Sequence, residues 1–139
     1  MHVQPYLSFE GRCEEAANFY CKALGAEIKG LLRFKDAPAS VQQGMASPGS
    51  EEKVMHMSLR IGDSTLMASD GQCQGSASFQ GISLSLTPAN EADAKRYFNA
   101  LADGGQVQVP LGQTFFSPCF GMVQDRFGVS WMVYIPGQS

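Results

Sequence analysis

The sequence predicts an α+β fold made of two similar β-α-β-β-β halves, with a cup between them that binds a small molecule. The same order of strands and helix occurs twice within one domain of 139 residues, at 1–70 and at 79–136. Four helix residues also recur 77 positions later, as Ala17, Tyr20, Ala23, Leu24 and then Ala94, Tyr97, Ala100, Leu101. The shared order and the shared residues together indicate an internal duplication.

The first half begins with a strand over 3–9. Val3, Leu7 and Phe9 alternate there with polar residues and are expected to face the core. A helix with an apolar stripe follows from about Glu14. Gly25 is placed to end this helix, because glycine readily adopts the left-handed conformation of a C-cap.

The rest of the first half contains three predicted strands, at 28–34, 54–61 and 65–69. The last two are joined by a tight hairpin turn at Gly62-Asp63. Segment 35–53 is rich in proline, glycine and serine and is too long for a mere connector. Its composition fits a lid and a loop without a role equally well.

The second half repeats this order. Ile82 is the first of three alternating apolar residues in a strand at 82–86, and these are expected to lie beneath the helix. The helix begins after Asn90, which forms an N-terminal capping arrangement with Asp93, and ends at about Ala102. Three further strands are predicted at 106–111, 115–124 and 129–135. Most of the aromatic residues are assigned to the core, namely Tyr97, Phe98, Phe115, Phe116, Phe120 and Trp131, with Phe116 or Phe120 as a wall of the cup.

Polar residues predict where a ligand could bind. Each half has one helix, so only one face of each sheet can be covered. The uncovered faces carry Gln4, Tyr6, Ser8; His56, Ser58, Arg60; Gly81, Ser83, Ser85; and Ser130, Met132, Tyr134. They are either ordinary solvated faces or the walls of a cavity, and their small residues favour a cavity.

The composition excludes several classes of function. The net charge of −3 argues against nucleic-acid binding, which requires a basic surface. No stretch approaches 18 apolar residues, so no membrane span is expected. The four cysteines lack C-x-x-C spacing, and unpaired thiols are typical of a reducing compartment. We therefore expect a cytoplasmic protein.

His56 is the candidate catalytic residue, as a general base or a lone metal ligand. The alternative is a half-buried histidine that is hydrogen-bonded to a nearby serine or arginine. Arg60 could hold an anionic group of a ligand, or could simply face solvent beside the hairpin. Asp70 and Asp125 lie at a strand end and a turn, where structural roles are expected.

Four segments, 4–26, 33–38, 54–70 and 125–132, resemble the PhnB-like members of the vicinal oxygen chelate superfamily. Glyoxalases, bleomycin-resistance proteins and ring-cleaving dioxygenases belong to this superfamily. The segments include F-Y-x-x-x-L-G at 19–25 and D-x-x-G at 125–128. The resemblance extends over nearly the whole chain. It implies paired βαβββ modules (the glyoxalase/bleomycin-resistance-like fold), curved mixed sheets around a cup, and a homodimer.

The resemblance also implies four metal-ligand positions, which here are Gln4, His56, Gly81 and Met132. Gly81 has no side chain, and Met132 has a soft thioether where relatives have a carboxylate. A hard divalent metal requires oxygen or imidazole ligands, so a tightly bound metal is not expected.

Three functions follow as hypotheses. The first is binding of a small organic or anionic ligand through Gln4, Tyr6, Ser58, Arg60 and Met132, without a tight metal. The second is a lyase or isomerase that uses His56 with a weakly held divalent metal or none. The third is a structural homodimer with a vestigial cup. Some relatives are called demethylubiquinone methyltransferases, but the chain has no glycine-rich βα loop for a methyl donor, so we do not expect this activity.

Overall fold

The chain forms two compact units, residues 1–77 and 78–139, which we call module one and module two. The structure is a computed structural model. It describes residues 1–37, 49, 51–71, 73 and 76–137. Most of the predicted loop at 35–53 lies outside the described residues, and so does the hypothesis that it is a lid.

In its described residues, module one places one α-helix on a four-stranded mixed sheet. Its elements are β1 (Tyr6–Ser8), α1 (Cys13–Leu24), β2 (Glu27–Arg33), a single 3₁₀ turn (Phe34–Asp36), β3 (Val54–Ile61) and β4 (Ser64–Ser69). The strand order is β1-β4-β3-β2. The β1–β4 pair is parallel and the other two pairs are antiparallel. The β3–β4 hairpin turns at Gly62-Asp63, as the sequence predicts.

The apolar stripe of α1 explains why this helix forms and where it packs. Ala16, Ala17 and Tyr20 are buried, and α1 contacts β2 and β3. Gly25 ends the helix with φ +69°, and its N–H donates to the Cys21 carbonyl at 3.1 Å. The C-cap predicted from the sequence is therefore confirmed.

Module two has the same architecture. Its elements are β5 (Ser83–Leu86), α2 (Glu91–Ala102), β6 (Gln106–Gly112), β7 (Cys119–Gln124) and β8 (Ser130–Ile135). The strand order is β5-β8-β7-β6, with β5 parallel to β8. The Asn90 side chain caps α2 by accepting from the Asp93 N–H at 2.8 Å. The predicted fold class, two modules of a helix with a mixed sheet, is confirmed.

Three predictions about the edges of elements are wrong. Val3 is 94% exposed, because β1 begins at Tyr6, after Pro5, which has no N–H to donate. Ile82 is 63% exposed and precedes β5, since the chain turns at Gly81 with φ +79°. The strand predicted at 115–124 begins only at Cys119.

A turn replaces the start of that strand. The Thr114 hydroxyl accepts from the N–H groups of Phe116 and Ser117, and the Thr114 N–H donates to the Ser117 carbonyl at 2.8 Å. Phe115 lies at the tip of the turn and is 100% exposed, so its assignment to the core is wrong. Side-chain hydrogen bonds of this kind compete with strand pairing.

Each module has a buried aspartate that accepts several hydrogen bonds at a strand end or turn. Asp125 is 3% exposed and accepts from the N–H groups of Phe127 and Val129 and from the indole of Trp131, at 2.9–3.1 Å. Asp70, at the end of β4, accepts from three backbone N–H groups of module one. Both residues therefore have the structural role that the sequence predicts.

Candidate functional site

The face of the first sheet that α1 does not cover carries the candidate residues of module one. Met57 and Leu59 in β3 are buried on the helix side, so the alternating His56, Ser58 and Arg60 lie on the opposite side. We call this opposite side the open face.

Strand register brings a residue of β1 into the same face. Tyr6 pairs with Met67 across β1 and β4, and Met67 pairs with Ser58 across β4 and β3. These three residues therefore form one row across the sheet. His56 and Arg60 flank this row, one on each side of Ser58.

Tyr6 and His56 are in contact. The Tyr6 hydroxyl lies 3.4 Å from Nδ1 of His56, and the two ring centroids are 5.8 Å apart. When the hydroxyl donates to Nδ1, the neutral imidazole carries its proton on Nε2. The contact thus orients the ring and leaves Nε2 for another group.

This pair was only partly predictable. The sequence identified both residues as polar-face positions, but the expected partner of His56 was a serine or an arginine. The observed partner is 50 residues away along the chain. Their proximity depends on β4 pairing with both β1 and β3, which no local sequence signal specifies.

Ser58 and Arg60 supply further donors on the open face. Ser58 is half-buried, and its hydroxyl makes no hydrogen bond to any other described residue. Nε of Arg60 donates to the Gly62 carbonyl at 3.2 Å. Arg60 is also paired across the strands with Glu27, whose pKa is lowered by a hydrogen bond from Lys29, by the Lys29 charge and, to a smaller extent, by the Arg60 charge.

The residues at the four predicted metal positions do not suit a divalent metal. Gln4 is exposed ahead of β1, and His56 is in β3. Gly81, in the turn before β5, supplies no side-chain atom, and Met132 in β8 supplies only a thioether. Within the described ranges, no three histidine, cysteine or acidic side chains cluster as metal ligands. These residues therefore do not support a chemical step through a bound metal.

The open face of module two has apolar side chains at the two positions that correspond to His56 and Ser58. Met132 pairs with Ser85 and Met122, just as Met67 pairs with Tyr6 and Ser58. Phe120 therefore occupies the position that His56 has in module one. Its ring lies 5.0 Å from that of Phe116, with the planes nearly perpendicular. The ionisable residues of the candidate site thus belong to module one alone.

The cysteines do not form a nucleophilic site. All four are unpaired, and burial raises the pKa of each thiol. Asp70 adds to this effect at Cys13, because its negative charge also disfavours the thiolate. A raised pKa lowers the thiolate fraction at neutral pH, and the thiolate is the reactive form.

We expect native protein at pH 7 to react slowly with iodoacetamide at all four cysteines. Raising the pH should speed labelling of the half-buried Cys21 and Cys73 first, whereas Cys13 should react only after unfolding in urea. Mass spectrometry of tryptic peptides measures each site separately. Rapid labelling of any one thiol in the native protein at pH 7 would contradict the assignment.

Comparison with known proteins supports the family. A family model described as 3-demethylubiquinone-9 3-methyltransferase matches residues 1–134. Protein YjdN of Escherichia coli (strain K12) is 36% identical over 145 residues, which cover 99% of this chain and 97% of the relative.

Solved structures of similar proteins show the same fold. Protein PA1353 from Pseudomonas aeruginosa has a TM-score of 0.84 at 41% identity, with 99% of each chain covered. The PhnB protein from Bacillus cereus has a TM-score of 0.78 at 29% identity, covering 97% of this chain and 99% of that one. A glyoxylase/bleomycin resistance protein/dioxygenase domain from Frankia sp. EAN1pec has a TM-score of 0.67 at 12% identity. The match covers 98% of this chain and 95% of that one, and at this identity it shows a shared fold alone.

The two modules define a protein of the glyoxalase/bleomycin-resistance fold. The chain belongs to the family described as 3-demethylubiquinone-9 3-methyltransferase and is PhnB-like in sequence and fold. Neither described helix is both long and apolar enough to cross a bilayer.

Proposed function

We propose that the open face of module one binds a small organic ligand with a polar or anionic group, without a tightly bound metal. Tyr6, His56, Ser58 and Arg60 make the contacts, and Gln4 lies ahead of β1 at the edge of the same sheet. Met132 of module two and the cup between the modules stay predictions, as do the homodimer and the cytoplasmic location.

The Tyr6–His56 contact is the observation that carries this proposal. A phenol and an imidazole are held 3.4 Å apart on a sheet face that the helix leaves uncovered. The Ser58 hydroxyl beside them has no partner among the described residues. Polar groups that are positioned but unsatisfied favour a ligand that can complete their hydrogen bonds.

Arg60 supports an anionic group on that ligand. Its guanidinium has five N–H donors, and among the described residues only the hydrogen bond from Nε to Gly62 occupies one of them. Carboxylates and phosphates are the acceptors that a guanidinium binds most strongly. Lys29, which pairs with Ser58 across β2 and β3, is neutralised by an ion pair with Glu27 at 2.9 Å, so Arg60 is the cation proposed to meet the ligand.

A lyase or isomerase is the second candidate, and the same contact favours it. For Nε2 to act as a general base, the neutral imidazole must carry its proton on Nδ1, and this N–H then donates to the Tyr6 oxygen. His56 would then be the catalytic residue. Proton removal of this kind does not require a metal.

Methyl transfer, which the family description names, is supported less well. Free N–H groups at a βα turn would be one way to bind the carboxylate of a methyl donor. In module one the Asp70 carboxylate already accepts from Gly11 and Cys13, where α1 begins. In module two the Asn90 side chain caps α2. Incubation with labelled S-adenosylmethionine and a demethylubiquinone would test this directly.

A thermal-shift screen of small organic acids tests the proposal. At a free concentration of one hundred times its Kd, a ligand stabilises the protein by about 2.7 kcal/mol, which raises the Tm by roughly 8 °C. We expect Arg60→Ala to weaken binding of a carboxylate about tenfold or more, because a charge-assisted hydrogen bond is lost. Tyr6→Phe and Ser58→Ala should each weaken it as well.

Arg96→Ala is the matched control, since Arg96 is exposed on α2 and pairs with Asp93. The control should bind as wild type does. A ligand whose affinity survives all three open-face substitutions would show that binding occurs elsewhere. For a ligand that is also turned over, loss of turnover in His56→Ala with binding retained would favour the enzyme over the binding protein.

A further inference from the structure

A cleft in module two lies on the side of the sheet opposite the open face. It has a volume of about 870 Å³ and lies between the start of α2, the end of β6 and the segment before β7. Phe98, Leu111 and Cys119 give it an apolar floor. Its rim is polar, with Glu91, Lys95, Asn99 and Gln113. Small-molecule sites commonly combine this size with such a lining.

Module one has a cleft at the corresponding place, of about 620 Å³. The helices align with the offset of 77, so Glu14 corresponds to Glu91. The strands align through their register: Leu32 pairs with His56 and Gly112 pairs with Phe120. The next residue is Arg33 in module one and Gln113 in module two. The two clefts therefore share the carboxylate but differ at this strand position.

An ion pair bridges the cleft of module one. Both terminal nitrogens of the Arg33 guanidinium donate to the Glu14 carboxylate, at 2.7 and 3.1 Å. One of them also donates to the Glu52 carbonyl at 2.7 Å. The hydrogen bond from Arg33 is the main cause that lowers the pKa of Glu14.

The carboxylate of module two lacks this partner. Gln113 carries no charge, and the side chains of Glu91 and Gln113 make no hydrogen bond or ion pair to any other described residue. The Glu91 charge nevertheless acts on the floor of the cleft, since it raises the pKa of Cys119 after the larger effect of burial.

We propose that the cleft beside α2 binds a small organic cation, a guanidinium or primary ammonium on an apolar stem. The Glu91 carboxylate is its counter-ion, in the place where module one uses its own Arg33. Phe98 and Leu111 contact the stem. Nothing in this site is shared with Tyr6 or His56, so it stands or falls independently of the proposed function.

The positive charge of Lys95 would repel a cation bound in the cleft. This residue lies one helical turn after Glu91, on the rim of the cleft, and makes no ion pair within the described part of the chain. Its charge reduces the affinity that Glu91 provides. Lys95→Met should therefore strengthen cation binding about two- to threefold.

A titration followed by NMR of the backbone amides tests the site, with n-butylguanidinium as the probe. Its neutral isostere n-butylurea is the matched control ligand. We expect butylguanidinium to shift amides of 91–95 and 111–113, with a Kd about fivefold lower than that of butylurea. Glu91→Gln should abolish this difference. Equal binding of the two ligands to wild type, or shifts confined to other residues, would overturn the proposal.

Gln113→Arg provides an independent test, because it restores the guanidinium from within the chain. We expect this variant to lose butylguanidinium binding and to gain about 1–3 °C in Tm. The gain should vanish in the double variant with Glu91→Gln. Gln106→Arg, at the other end of β6 and outside the cleft, is the control and should bind as wild type does. If Gln113→Arg still binds butylguanidinium as wild type does, the cleft is not the cation site.

Discussion

Replacing Asp70 with alanine is expected to lower the free energy of unfolding by about 3–5 kcal/mol. The carboxylate is 1% exposed and accepts from the N–H groups of Gly11, Cys13 and Val54, at 2.9, 2.7 and 2.7 Å. Alanine would leave three donors near the core without an acceptor. Each of these N–H groups would then be removed from water without a hydrogen-bond acceptor, and this costs free energy.

The loss of stability should affect more than one contact, because Asp70 connects three elements of module one. It follows β4 directly, and its acceptors hold the start of α1 and the first residue of β3. Asp70→Asn keeps the shape but replaces one acceptor oxygen by a donor, so an intermediate loss is expected. Urea denaturation followed by circular dichroism measures both variants.

Asp63→Ala is the matched control in the same module. Asp63 is exposed in the β3–β4 turn, and its side chain makes no hydrogen bond to another described residue. Its substitution should change stability by less than about 0.5 kcal/mol. An Asp70→Ala protein as stable as this control would refute the structural role.

Gly105→Ala should have the second largest effect, a loss of about 3 kcal/mol. A Cβ at this position would lie 2.2 Å from the carbonyl oxygen of Gln124 and 2.9 Å from Cα of Asp125. Both atoms are backbone, so no side-chain rotation relieves the overlap. The start of β6 would have to move away from the end of β7.

Gly112, at the other end of β6, is the control. A Cβ there meets no atom within 4 Å, and its φ is outside the left-handed region. Gly112→Ala should therefore be neutral, or stabilise by roughly 0.5 kcal/mol through the unfolded state. Thermal unfolding of the two variants separates a backbone clash from a general effect of replacing glycine. Equal Tm values would contradict the clash.

The two modules differ on both sides of their sheets. On the open face, His56 and Ser58 of module one correspond to Phe120 and Met122 of module two. On the helix side, Arg33 pairs with Glu14 in module one, whereas the corresponding Glu91 has no ion pair with any residue that the structure describes. The modules thus share a fold but present different chemistry, and each proposed site depends on one such difference.

Much of the fold was predictable because it follows from local patterns. Alternation located β3, and the apolar stripe with Gly25 located α1 and its end. The errors occurred where local hydrogen bonds or proline override that pattern. Pro5 delays β1, and the Thr114 side chain replaces the first residues of the predicted last-but-one strand with a turn.

By itself, the sequence determined the order of elements, the duplication and the polar face of each strand, since these depend on side-chain periodicity and on short-range turn chemistry. Only the tertiary structure decided which polar residues meet. Tyr6 reaches His56 because β4 lies between β1 and β3. Glu91 has no ion-pair partner among the described residues, because strand register places Gln113 at the position that Arg33 has in module one. Strand order and register depend on pairing between distant segments of the chain. No short sequence pattern therefore predicts which residues form the candidate sites.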